Sequence, residues 1–235
     1  MIPIRGPRLS LRDFRLEDLA AYRAWRLPGH AWQELDGPYY AAESAAEIDA
    51  RIDRLRQRIV AGRWPSPRSR LLIADARTDR LFGTVSWYWI GQESWWPAAG
   101  ISLFDEHRWR QGLGFEALGL WVDYLFRAEP RFRRMDLETW SGNAGMMRLA
   151  ETLGFTLEAR HRKARQVGGL DYDSLGYGVL REEWIARYPR GFAARLREDP
   201  PTPPPPASPT PTSPTTSDPA TSTPPPAAPA RKDSP

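Results

Sequence analysis

The chain has 235 residues, 33 Lys plus Arg against 29 Asp plus Glu for a net charge of +4, and no cysteine. A disulfide, a thiolate zinc site and an acyl-cysteine intermediate are therefore excluded, and no apolar run approaches the roughly 20 residues a membrane helix needs. Arginine carries the excess charge, with lysine only at 163 and 232; such a mild, diffuse field suits a polyanionic small ligand and argues against nucleic acid.

The opening MIPIRGPRLSLRDF lacks the apolar stretch of a secretory signal, so a cytoplasmic location is expected. Leu9 and Leu11 alternate with polar neighbours and predict a strand, after which Leu16, Leu19, Tyr22 and Trp25 recur at helical spacing. A Gly- and Pro-containing loop with Trp32, Tyr39 and Tyr40 leads to Ser44-Ala45-Ala46-Glu47, a capping-box pattern that opens a helix with Ile48, Ile52, Leu55 and Ile59 as its apolar stripe. Apolar runs at 71–74, 81–90 and 98–104, joined by short turns, predict an antiparallel meander. The spacing is helical from Gly112 to the break at Pro130, alternating at 135–140, helical again at 143–153, and alternating at 155–163 and 172–180 before a short helix containing Trp184. The order β-α-α-β-β-β-α-β-α-β-β predicts one α+β domain over residues 1–197. From Pro200 onward the chain is almost wholly Pro, Thr, Ser and Ala, with no aromatic, Leu, Ile, Val or Met. Residues 198–235 are accordingly expected to be a disordered tail, since nothing there offsets the entropy of ordering a backbone.

Chemistry concentrates where the strand at 98–104 meets the next helix. Gly112 and Gly114 let a backbone approach a ligand, the first N–H groups of the helix have no partners within it, and the helix dipole favours an anion. Arg108 and Arg110 add charge. A plain glycine-containing helix start is the simpler reading of a lone Gly-x-Gly.

The run Gly100-Ile101-Ser102-Leu103-Phe104-Asp105-Glu106 leading to Gly112-Leu113-Gly114, the Asn143-led helix ending in Leu153-Gly154-Phe155, and Asp173-Ser174-Leu175-Gly176-Tyr177 before Leu180-Arg181-Glu182-Glu183-Trp184 resemble the GNAT superfamily of N-acetyltransferases. The likeness runs from Leu9 to Trp184 and is nearest to the RimJ/RimL-type branch, the ribosomal-protein N-terminal acetyltransferases. It implies a GNAT fold: a central mixed, mostly antiparallel seven-stranded sheet flanked by helices, with two strands splayed at an acyl-CoA site. It also implies acetyl-CoA as cosubstrate, with the backbone of Ile101, Ser102, Leu103 and Phe104 pairing with the pantetheine arm. The N–H groups of Arg110, Gln111, Gly112, Leu113 and Gly114 would hold the pyrophosphate, with Arg108 beside them, and Asn143 would contact the cofactor; a helix cap is the other reading of Asn143. Two features depart from the family. Trp109 stands where a cation or Gln is common, and Ala98 and Ala150 stand where the family often has a glutamate and a tyrosine that handle protons.

Without cysteine, direct attack of an amine on the thioester is expected, with a backbone N–H near Leu103 meeting the oxyanion. Glu138, acting through water as base, and Tyr177, donating to the thiolate, are the catalytic candidates; a solvent-facing glutamate and a core tyrosine are their simpler readings. Near pH 7.5 a lysine amine costs about 4 kcal/mol to deprotonate and an α-amine well under ~1 kcal/mol, so a peptide or protein N-terminus is the expected acceptor. A polyamine or aminoglycoside received by Glu34, Asp36, Glu43 and Glu93 is one alternative, and a non-catalytic acyl-CoA sensor is another. Alternate residues of the aromatic hairpin at 87–96 must face opposite sides, so half of its aromatics are expected to be core and the rest, with Trp32, Tyr39 and Tyr40, to form an acceptor wall or a homodimer contact. His30, His107 and His161 are too dispersed for a metal site, and no metal is expected.

Overall fold

The computed structural model describes residues 3–198. In chain order the elements are β1 (Pro3–Arg5), β2 (Leu9–Arg12), α1 (Asp18–Arg26), α2 (Ala45–Ala61), β3 (Arg70–Asp75), β4 (Leu81–Gly91), β5 (Trp96–Leu103), α3 (Leu113–Ala128), β6 (Arg134–Trp140), α4 (Ala144–Leu153), β7 (Thr156–Val167), β8 (Leu170–Leu180), α5 (Arg181–Arg187) and α6 (Phe192–Glu198). The sheet order is β1-β2-β3-β4-β5-β6-β8-β7, with eight strands where seven were expected. The additional strand is β1, whose three residues extend the edge beside β2. The tail expected at 198–235 lies outside the described residues, apart from Glu198 at the end of α6.

Local chemistry accounts for the boundaries. Ser44 caps α2 as its pattern predicts: its Oγ accepts the Glu47 N–H, and Glu47 Oε2 accepts the Ser44 N–H at 2.8 Å. The β7–β8 connection is Gly168-Gly169, both at positive φ, which is the backbone a two-residue hairpin needs. Every pairing in the sheet is antiparallel except β5 with β6, because α3 carries the chain back across the sheet between them.

Two apolar layers enclose the sheet. On one face Leu71, Val85, Trp87, Ala99 and Leu137 pack with Ala117, Leu118, Trp121 and Leu125 of α3 and with Trp184 and Phe192. On the other, Leu72 and Phe104 pack with Leu19, Tyr22, Trp32, Ile48 and Ile52 beneath α1 and α2. At about 25 cal/mol per Å² of apolar surface, these two layers are the main favourable term in folding.

The consequential irregularity is between β5 and β6. Only Ala98 with Asp136 and Ala99 with Leu137 stand in register, although β5 continues to Leu103 and β6 to Trp140. Beyond those pairs the two central strands diverge.

Candidate active site

The divergence leaves an open edge on β5. The Phe104 N–H donates to the Phe82 carbonyl at 2.8 Å, so Phe104 faces β4. Antiparallel alternation then turns the backbone groups of Ser102 toward β4 as well, and those of Ile101 and Leu103 toward the gap. Of the four residues expected to pair with a pantetheine arm, two present their backbone there, while the Phe104 ring is core at 2% exposure. Trp109 explains its own departure from the family pattern. Its indole N–H caps the Leu103 carbonyl at 3.0 Å, leaving the Leu103 N–H as the donor facing the gap.

At the end of β5 the chain enters the glycine-bearing loop. Arg110 and Gly112 take positive φ of 59° and 74°, and Gly112 is the residue from which the 16-residue α3 starts. The Gly112 carbonyl accepts the Glu116 N–H, and the N–H groups of Leu113, Gly114 and Phe115 occupy the first turn, where a helix has no internal acceptors. Gln111 is committed to the loop itself: its Nε2 donates to the His107 carbonyl at 2.7 Å, and its carbonyl accepts Arg8 Nη1 at 2.6 Å.

Arg108, expected to add mobile charge beside this loop, is engaged by carboxylates of the chain. Asp75 Oδ2 holds its Nη1 at 2.8 Å, Asp105 lies 3.5 Å from its Nε, and its guanidinium covers the Phe82 ring. Asp75 is correspondingly held well below the usual carboxylate range, first by Arg108 and then by the backbone N–H groups of Thr78 and Arg77. Arg110 is exposed, and no ion pair of it occurs among the described residues. Arg8 and Glu116 were missed by sequence reasoning. Glu116 is wholly buried in the first turn of α3, and its carboxylate accepts the N–H of Arg8 and Leu9 and the Arg8 Nε. Arg8 Nη2 is buried without a hydrogen-bond partner.

The far side of the gap is closed by the loop before α2. The Leu35 carbonyl accepts both Trp140 Nε1 and Asn143 Nδ2 at 3.1 Å, while Asp36 Oδ2 lies 3.4 Å from Ser102 Oγ on β5. Asn143 is thus a helix cap and a loop anchor, since its Oδ1 also accepts the Met146 N–H at 3.0 Å. Tyr39 packs edge-on against Trp140 beneath the Arg165 guanidinium.

The two catalytic candidates are not brought together. Glu138 stands opposite Gly176 and Leu137 opposite Tyr177, so Glu138 and Tyr177 project from opposite faces of the sheet. Tyr177 is core at 1% exposure. Its hydroxyl donates to Glu151 Oε1 at 3.3 Å, and burial together with the neighbouring Glu151 raises its pKa above the usual phenol value. Glu138 lies at the start of the divergence on the α1–α2 side, where Tyr88 Oη donates to its Oε2 at 2.5 Å.

The aromatic hairpin divides as alternation requires. Trp87, Trp89 and Trp95 pack with Phe132 away from the gap, and Trp32 is core, while the Tyr39 and Tyr40 rings meet and Tyr88 bonds Glu138. Among the acidic residues considered for a polycation, Glu43 is bound by Arg26 and Arg51, which holds it below the usual range against the opposing effect of burial. His30 bonds the Ala24 carbonyl, and no group of three or more His, Asp or Glu able to hold a metal occurs among the described residues. No described helix is long and apolar enough to cross a membrane.

A family model described as "Acetyltransferase (GNAT) domain" matches residues 8–156. The protein named "Probable N-acetyltransferase YjcK" from Bacillus subtilis (strain 168) is 32% identical over 111 residues, which are 47% of this chain and 61% of that relative, so the match spans less than two thirds of it. Among solved structures, a RimL ribosomal L7/L12 alpha-N-protein acetyltransferase in complex with coenzyme A aligns with a TM-score of 0.59 at 21% identity, covering 77% of this chain and 98% of that one. A spermidine N-acetyltransferase from Vibrio cholerae, in complex with CoA and spermine, aligns with a TM-score of 0.59 at 18% identity, covering 75% and 98%. At these identities the structural likeness is one of fold.

Proposed function

Because this chain belongs to the acetyltransferase (GNAT) domain family, we propose that it transfers acetyl from acetyl-CoA directly to a primary amine, a peptide or protein N-terminal α-amine before any other. The observation that carries this reading is the open β5 edge at Ile101 and Leu103 running into the uncapped first turn of α3. An edge whose backbone groups are turned away from β4, the Leu103 N–H among them, suits the amide-bearing pantetheine arm, as an added strand would, and a helix start suits a pyrophosphate. The exposed Arg110 supplies positive charge beside that helix start, and the Arg8 Nη2 that the Glu116 ion pair leaves unpartnered is a further donor.

Bound acetyl-CoA supplies a thioester, and in the balanced reaction, counted from the ammonium, the C–N bond forms as the C–S bond breaks, with one of the three protons staying on the amide nitrogen, one ending on sulfur and one in solvent. The chain's residues do the rest. The Leu103 N–H faces the gap and meets the charge that develops on the acetyl oxygen, the kind of preorganised donor that contributes most to acyl transfer. Glu138 accepts the ammonium proton, directly or through one water. Tyr177, on the opposite face, supports packing of α4 against β8 rather than a proton transfer.

The preference for an α-amine rests on its low deprotonation cost, because an exposed carboxylate is a weak base. A polyamine is the second reading, favoured by the two carboxylates, Asp36 and Glu138, on either side of the gap. We assign the activity to residues 1–197 and no part of it to 198–235; a cytoplasmic location and a homodimer contact belong to the same proposal. The test is release of free CoA from acetyl-CoA with N-terminal peptides, polyamines and aminoglycosides, with cofactor binding recorded alongside. Binding without turnover of any amine would identify a sensor instead.

A further inference from the structure

Tyr88 is on β4 and Glu138 on β6, with β5 between them. Their backbones are two strand spacings apart, about 9–10 Å, so the hydrogen bond joining the two side chains must cross β5. The register locates the crossing. Tyr88 stands opposite Ala98, and Ala98 opposite Asp136, two residues before Glu138. Residues two apart on a strand share a face, so Tyr88, Ala98, Gly100 and Glu138 all project toward the α1–α2 side. The β5 residues beneath the bond therefore carry a methyl group or nothing, and a longer side chain at 98 would occupy its path.

Other groups close the same space. Tyr39 and Tyr40 approach from the loop before α2, and Arg165 from β7 lies over the Tyr39 ring. Asp136, one pleat back on β6, is engaged by Arg134. Burial and the Glu138 carboxylate push Tyr88 ionisation well above its ordinary range, so its phenol remains a donor.

We propose that Tyr88 is a positioning residue for acetyl transfer: by donating across Ala98 to Glu138 Oε2, it fixes the Glu138 carboxylate at the mouth of the β5–β6 gap as the acceptor of the ammonium proton. This rests on reading the chain as an N-acetyltransferase.

The experiment is a double-mutant cycle on the full chain, with Tyr88→Phe, Glu138→Gln and the double variant assayed for CoA release with the best amine, alongside acetyl-CoA KM and thermal midpoint. Loss of a hydrogen bond to a charged group lowers kcat about tenfold in Tyr88→Phe, and loss of the base lowers it about 100-fold in Glu138→Gln. The double variant is no slower than Glu138→Gln, because Tyr88 acts only through Glu138. Acetyl-CoA KM stays at the wild-type value and the midpoint of Tyr88→Phe falls no further than that of Tyr177→Phe, which likewise loses one phenol–carboxylate bond; this separates positioning from a packing role for the ring. Wild-type kcat in Tyr88→Phe, or losses that multiply in the double variant, would overturn the role of Tyr88 while leaving the enzyme reading intact. A wild-type protein that binds acetyl-CoA and acetylates no amine would overturn both.

Discussion

Glu116, wholly buried in the first turn of α3, accepts the backbone N–H of Arg8 at 2.8 Å and the Arg8 Nε at 2.8 Å. This joins the start of β2 to the helix whose N-terminus we assign to the cofactor, and the Arg8 Nη1 bond to the Gln111 carbonyl extends the tie into the loop. Glu116→Ala leaves these donors unpaired, and removing the acceptor of buried or partly buried donors costs about 1–3 kcal/mol. Chemical denaturation should show that loss, and acetyl-CoA KM should rise in the folded fraction. A midpoint equal to wild type would contradict the tie.

Two arginines two residues apart have separate roles. Arg108 is held by Asp75 and Asp105, whereas Arg110 is exposed at positive φ beside Gly112. Arg110→Ala should raise acetyl-CoA KM several-fold, of the order expected for one charged contact, with the melting temperature retained. Arg108→Ala should lower the melting temperature with little change in KM. The reverse pattern in titrations of the two variants would reassign the loop cation.

Asp75 predicts how acid acts on this region. A carboxylate held below its ordinary value contributes stability that is fully present above its unfolded titration near pH ~4 and is lost as pH falls toward its folded value. Asp75→Asn should therefore melt below wild type at neutral pH, and the two melting curves should converge in acid. A constant difference across that range would mean that the Arg108 bond does not stabilise the fold.

Tyr177 and Glu138 project from opposite faces, so their variants should behave differently. Tyr177→Phe removes the bond to Glu151 at a cost of about 1 kcal/mol and leaves kcat unchanged. A large fall in kcat with an unaltered melting temperature would return Tyr177 to the reaction.

Most of the element order was legible because strands and helices impose periods of 2 and 3.6 on apolar residues. β1 was not, since Pro3-Ile4-Arg5 is too short to show a period, and α6 was missed for the same reason. The splay was carried only by the family resemblance; what produces it is the two-residue β5–β6 register. Alternation also tells which residues share a face within one strand but not across strands, so the separation of Glu138 from Tyr177, and the meeting of Glu138 with Tyr88, had no signal in the chain. Likewise nothing local distinguished Arg108 from Arg110; Asp75, 33 positions earlier, does so. The Gly112 turn was readable, because a helix start with positive φ selects glycine.

The central claim is acetyl transfer to an α-amine. The most direct measurement is the initial rate of CoA release with a peptide bearing a free N-terminus and no lysine, compared with the same peptide Nα-blocked and carrying one lysine, and with spermidine at equal concentration. Release should be fastest with the free N-terminus, and that peptide should gain the mass of one acetyl group. Faster turnover of spermidine or of the lysine peptide would contradict it.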